Sequence, residues 1–149
     1  MDWIKITTED LECALNKPQL EILKAQRLRS PNRDIAFEVI SNIVARIRAE
    51  IAASGMNSLD TDHSRIPPEL KEPALRLCVE ALQARITSME LSKSQTRLAE
   101  AARNTLERIA RGELPVSNPI CAIRTASPKK GFSAGAARRV STRKTTEGI

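Results

Sequence analysis

The stretch from Ile66 to Leu91 constrains the fold more than any other. Leu70, Ala74, Leu77, Cys78, Ala81, Leu82, Ile86 and Met89 return at steps of three and four, a spacing that gathers them along one side of an α-helix. Pro67 and Pro68 suit its entrance and first position, where a missing N–H costs nothing, and Pro73 falls early enough to be tolerated. A helix striped in this way from Pro67 to Leu91 needs partners to cover its apolar side. Leu75, Val79 and Leu91 fall off the main stripe, so a second flank is expected to be covered as well.

The partners must be built from aliphatic residues. Of 149 residues 41% are hydrophobic but only 2% are aromatic, and a core of Ile, Leu, Val and Ala suits helix-on-helix packing better than a sandwich. The expected class is all-α: a compact bundle of four to five helices, two short and three long, with an extended C-terminal tail.

Capping signals mark the other helices. Thr7-Thr8-Glu9-Asp10 carries the Thr-x-x-Asp form of an N-cap and opens a short helix with Leu11, Ala14 and Leu15 on its apolar side. Asn16-Lys17-Pro18 stops it and starts a second, with Leu20, Ile22, Leu23 and Leu28 apolar. At Ser30-Pro31 a long helix is expected to begin, striped by Ala36, Ile40, Ile43, Val44, Ile47 and Ile51 and closed by Gly55, with Arg33, Glu38, Arg46 and Glu50 on the opposite face. A last helix restarts at Ser92, carries Leu98, Ala101, Ala102, Thr105, Leu106, Ile109 and Ala110, and ends at Arg111-Gly112 before Pro115.

Little in the chain points to catalysis. There is one histidine, no tyrosine, no Gly-rich phosphate loop and no Cys-x-x-Cys pair, so neither an enzyme nor a cofactor or metal site is expected. His63 with Asp60 and Asp62 is the one tempting group, in the polar loop from Met56 to Arg65. Its plainer reading is a connection between antiparallel helices. Cys78 sits on the apolar stripe as a small core residue. No run of about 18 apolar residues and no signal pattern is present, so neither membrane insertion nor secretion is expected.

Charge divides the chain into a helical domain, 1–116, and a C-terminal arm, 117–149. The first part holds 17 Lys and Arg against 17 Asp and Glu; the second holds 7 against one, which supplies the entire net charge of +6. The arm is rich in Pro, Gly, Ser and Thr, a composition that cannot build its own core. Ile120-Cys121-Ala122-Ile123 is able to form a brief strand, and Ile120, Ala122, Ile123, Phe132, Val140 and Ile149 are anchors of the kind that grip a partner. Lys129, Lys130, Arg138, Arg139, Arg143 and Lys144 are suited either to DNA or to an acidic protein surface.

The order of these parts is informative: Thr7-Thr8-Glu9-Asp10-Leu11, a Pro-preceded long helix, Ile66-Pro67-Pro68-Glu69-Leu70-Lys71-Glu72, and Leu106-Glu107-Arg108-Ile109-Ala110-Arg111-Gly112-Glu113. Over residues 3 to 116 it resembles the Mu-like family of small head-to-tail joining proteins of tailed phages and the related adaptors. That resemblance implies a virion protein, made in the host cytoplasm and placed at the head-tail junction. Protomers would form a homo-oligomeric ring of twelve between the portal protein and a tail stopper or terminator. DNA would pass transiently and non-specifically through the centre, while the C-terminal arm docks on the portal. Long cationic contacts to DNA would hinder passage, which favours a protein partner for the arm. Ring closure demands a heterologous contact, for which the off-stripe Leu75, Val79 and Leu91 are candidates.

The alternative is a small nucleic-acid-binding regulator. In it Thr7 to Leu28 is a helix-turn-helix, Lys24, Gln26 and Arg27 face the bases, and the basic tail holds phosphates.

Overall fold

The computed structural model describes residues 1–123. The arm positions Phe132, Val140 and Ile149, and the cations Lys129, Lys130, Arg138, Arg139, Arg143 and Lys144, lie outside the described residues. The fold is all-α in its body. Five helices, α1 (Thr8–Ala14), α2 (Lys17–Arg29), α3 (Ile35–Ala53), α4 (Lys71–Arg85) and α5 (Lys93–Ala110), are joined by four two-residue strands: β1 (Ile4–Lys5), β2 (Leu59–Asp60), β3 (Arg65–Ile66) and β4 (Ala122–Ile123).

Local chemistry places the helix starts. Thr7 Oγ1 accepts from the Asp10 amide at 3.2 Å while Asp10 Oδ2 accepts from the Thr7 amide at 3.0 Å, a reciprocal box that satisfies two orphan donors. Asp10 also meets Lys71 at 2.8 Å, which ties α1 to the first turn of α4. The Lys71 hydrogen bond and the Thr7 amide hold the Asp10 carboxyl below its usual range. Ser92 and Gln95 form a second box at the start of α5.

Three boundaries depart from the sequence reading. The long helix opens at Ile35, because Asp34 Oδ1 takes both the Ala36 and Phe37 amides, at 3.1 and 3.2 Å; Ser30-Pro31 closes α2 instead. A 3-10 turn, Pro68–Leu70, precedes α4, so Pro73 occupies the first α-turn, where no intrahelical N–H bond is lost. Helix α4 ends at Arg85 rather than near Leu91. Ile86, Thr87 and Ser88 are poor helix formers, and the chain turns there with the Met89 amide on the Ile86 carbonyl. Ile86 and Met89 are still buried, since the turn folds them back beneath the bundle.

Helices α3, α4 and α5 pack against one another, and α1 closes the side formed by α3 and α4. Helix α4 is covered on more than one flank: Ala74, Leu75, Leu77, Cys78, Val79 and Leu82 are buried, while Glu72, Gln83, Ala84 and Arg85 are exposed. This corrects the assignment of Leu75 and Val79 to a protomer contact, for they are only 6% and 3% exposed and lie in the protomer's own core. Leu91 is half-buried against that core. The stripe of α5 is also rotated, with Ala99, Ala102, Leu106 and Ile109 inward and Leu98 outward. Burial pushes the Cys78 thiol up to about 12, which makes it an inert core residue.

Gly112 ends α5 with φ of 76°, and its amide bonds to the Ile109 carbonyl at 2.9 Å. A Cβ there would come within 2.9 Å of Met56 Sδ, the end of an exposed, flexible side chain able to move aside, so it is the left-handed backbone that calls for glycine. Gly55, with φ of 63°, closes α3 as the sequence suggested.

Candidate interaction surface

The loop between α3 and α4 is organised by a residue that the sequence reading passed over. Arg48 lies on the buried side of α3 and is only 6% exposed. Its Nη1 donates to the carbonyls of Asp62 and Arg65, at 3.0 and 2.8 Å, and its Nη2 donates to that of Asp60 at 2.6 Å. The guanidinium carbon stands 5.6 Å from the centre of the buried Trp3 ring. Burial pushes the guanidinium pKa down, against the pull of Asp60 and Asp62. One cation therefore satisfies three carbonyls of a segment too short for regular pairing. The signal was its position: Val44, Arg48 and Ile51 continue the apolar stripe at helical steps.

Around this hub the loop gains structure. Strand β3 pairs antiparallel with β1, placing Lys5 opposite Arg65, and Asp62 separates the like charges at 3.0 Å from Lys5 and 3.3 Å from Arg65. The Ser64 hydroxyl and amide, then Lys5, hold the Asp62 carboxyl far below its usual range. Asp60 is buried and accepts from the Asp62 amide at 2.8 Å; His63 is exposed. Among the described residues no group of three or more His, Cys, Asp or Glu is placed to hold a metal.

The start of the arm is part of this surface. Val116 is buried and its amide donates to Asn57 Oδ1 at 3.3 Å. The Ser117 amide and hydroxyl donate to the two oxygens of Glu69, at 2.6 and 2.9 Å, and the Ser117 carbonyl accepts from Trp3 Nε1 at 2.8 Å. For Glu69, burial pushes the carboxyl up, but the Ser117 bonds and neighbouring groups outweigh it and leave the pKa lowered. Further on, the Thr61 amide donates to the Cys121 carbonyl at 3.1 Å, and β4 pairs with β2 in the register Leu59 to Ile123 and Asp60 to Ala122. The expected brief strand is present, and its partner lies in the same chain. Residues 117–123 thus form a strap over the domain. Pro119 is buried against the domain, while the side chains that follow, Ile120, Cys121, Ala122 and Ile123, are all exposed.

Other exposed apolar side chains are Leu28, Phe37, Met56 and Leu98. These, rather than Leu75 and Val79, are available for contact. Leu28 lies in the last turn of α2, which buries only Gln19 and Leu23. Gln19 is fixed by the Glu90 carbonyl at 2.7 Å and by Gln95 at 3.0 Å. On the same helix Arg27 donates to Glu12 at 2.6 Å, so of the three groups proposed to read bases one is already paired within the chain.

No helix among the described residues is long and apolar enough to cross a membrane. In comparisons with protein-family models, curated proteins and solved structures, nothing matches this chain.

Proposed function

We propose that this chain is a structural head-to-tail adaptor of a tailed phage, a protomer of a ring that seats on a portal and passes DNA through its centre. The observation that carries this reading is the strap. It leads the chain off the helical body along a fixed track and turns Ile120 and Ile123 outward. From there the chain continues into a segment that holds the whole net charge of +6. A body of neutral net charge with a fastened root for a cationic, anchor-bearing arm suits a protein that grips one partner while packing against copies of itself. The order of the capped helices, on which the family resemblance rests, supports the same reading. Ring closure requires two different patches on each protomer. Leu28 on α2 and Phe37 on α3, both mostly exposed, are the first to test.

The experiment combines the purified chain with a portal ring, followed by native mass spectrometry and negative-stain imaging. The expected result is a closed ring of the chain on the portal, lost when residues 124–149 are removed and the strap is kept. A monomer that leaves the portal bare would refute the reading.

A further inference from the structure

Two adjoining hollows run along the outer side of α3 and share His63. One, of about 410 Å³, lies over Phe37, Ile40 and Val44; the other, of about 290 Å³, lies over Ala49 and Leu59. From Phe37 to Ala52 this groove extends roughly 22 Å at helical rise. Its one cation at the Phe37 end, Lys5, is already paired with Asp62, so the seat is apolar rather than ionic.

The chain arrives at the far end of this groove on its own. Ile123 is the register partner of Leu59, which lines the second hollow. Because β4 runs antiparallel to β2, at Ile123 it points toward Ser58 and the C-terminal end of α3, so an arm seated over Phe37 has to reverse direction there. The next residues, Arg124 to Gly131, include the small Thr125, Ala126 and Ser127, and then comes Phe132, the one aromatic after Phe37. Fully extended, the chain from Ile123 to Phe132 spans roughly 30 Å, more than the groove requires. A tethered segment meets its site at an effective concentration in the millimolar range, well above that of a free competitor.

We propose that this groove is the docking site of the chain's own arm, with the Phe132 ring seated on Phe37, Ile40 and Val44 in the free protomer. A partner that recruits the arm must then displace Phe132 first. The inference concerns the lone protomer and stands apart from the adaptor reading, since no portal or ring enters its test.

Methyl NMR on the full chain, compared with the Phe132→Ala variant, reads it directly. The expected result is that the Ile40 and Val44 methyl resonances differ between the two and that the difference survives dilution. Trypsin cleavage after Lys129 and Lys130 should be about tenfold slower in the unaltered chain than in the variant. The variant Ala45→Trp, which fills the groove from the α3 side, should bring cleavage to the faster rate with helix content unchanged. Superimposable methyl spectra overturn the proposal. Differences that fade on dilution overturn it too, by assigning the groove to the arm of a second copy.

Discussion

Helix α4 and the strap that ends in β4 lie in one small domain and are held in different ways. In α4, Leu75, Leu77, Cys78, Val79 and Leu82 are removed from water, and each large apolar side chain so buried contributes about 1.5–3 kcal/mol. The strap is fastened at its root by buried Val116 and by the Ser117 bonds to Glu69 and Trp3. Beyond that root it is held by buried Pro119 and by main-chain pairing, with the side chains of Ile120, Cys121, Ala122 and Ile123 in solvent. Hydrogen bonds of this kind contribute about 1 kcal/mol net. The difference separates a permanent part of the molecule from one that a partner is able to peel or extend. It also moves the contact surface off the central helix.

The strongest way to break this comparison is Val79→Asp. An unpaired carboxylate in the core is expected to cost about 4 kcal/mol or more and to abolish cooperative thermal unfolding of the isolated chain, followed by circular dichroism. A folded variant that only fails to associate would put Val79 back on the surface.

Arg48→Met keeps the stem over Trp3 but strands three carbonyls. The expected loss is about 3 kcal/mol in urea unfolding. Hydrogen exchange should rise first in residues 57–66. A loss below about 0.5 kcal/mol would mean that water satisfies those carbonyls equally well.

Ser117→Ala is a milder perturbation, expected to cost about 1 kcal/mol. Its exchange protection should fall in 116–123 while the helices keep theirs. If the helices loosen equally, the strap is part of the core and the contrast with α4 disappears.

Acid provides a graded test. Asp10, Asp62 and Glu69 all have lowered pKa values in the fold. Their contribution is therefore fully present above the unfolded carboxylate values and is lost as pH falls through the folded ones, below about pH 4. For the strap, the Ser117 amide shift should titrate with a midpoint below 4.5, the ordinary Glu value. A midpoint at or above that value would mean the Glu69 latch is not closed in solution.

The smallest effect on stability is expected from Leu28→Asp, within about 0.5 kcal/mol because the side chain already faces water. Its effect should appear instead in ring formation, measured by sedimentation with the portal present.

How much was legible in advance follows from how local each cause is. The Thr7–Asp10 box and the Gly112 stop are set by residues within one turn, and each stands where the sequence placed it. The end of α4 was misread because Leu82, Ile86 and Met89 keep helical spacing through a turn that buries them by folding back. The place of Arg48 on the apolar stripe of α3 was legible, but its partners were not, because they are main-chain carbonyls that carry no side-chain signature. The off-stripe Leu75 and Val79 were read as outward because periodicity gives the angle around a helix but not how many neighbours surround it.

What the sequence determined by itself is the helical class, the starts of α1, α2 and α5 and the division between a neutral body and a cationic arm. These rest on spacing, capping chemistry and charge, all local or additive properties. Only the tertiary structure decided that Leu75 and Val79 lie in the protomer's own core, that Arg48 gathers the loop, and that residues 117–123 belong to the body. Each of those depends on which distant segments meet, and the burial and hydrogen bonds that settle it exist only once the chain has folded.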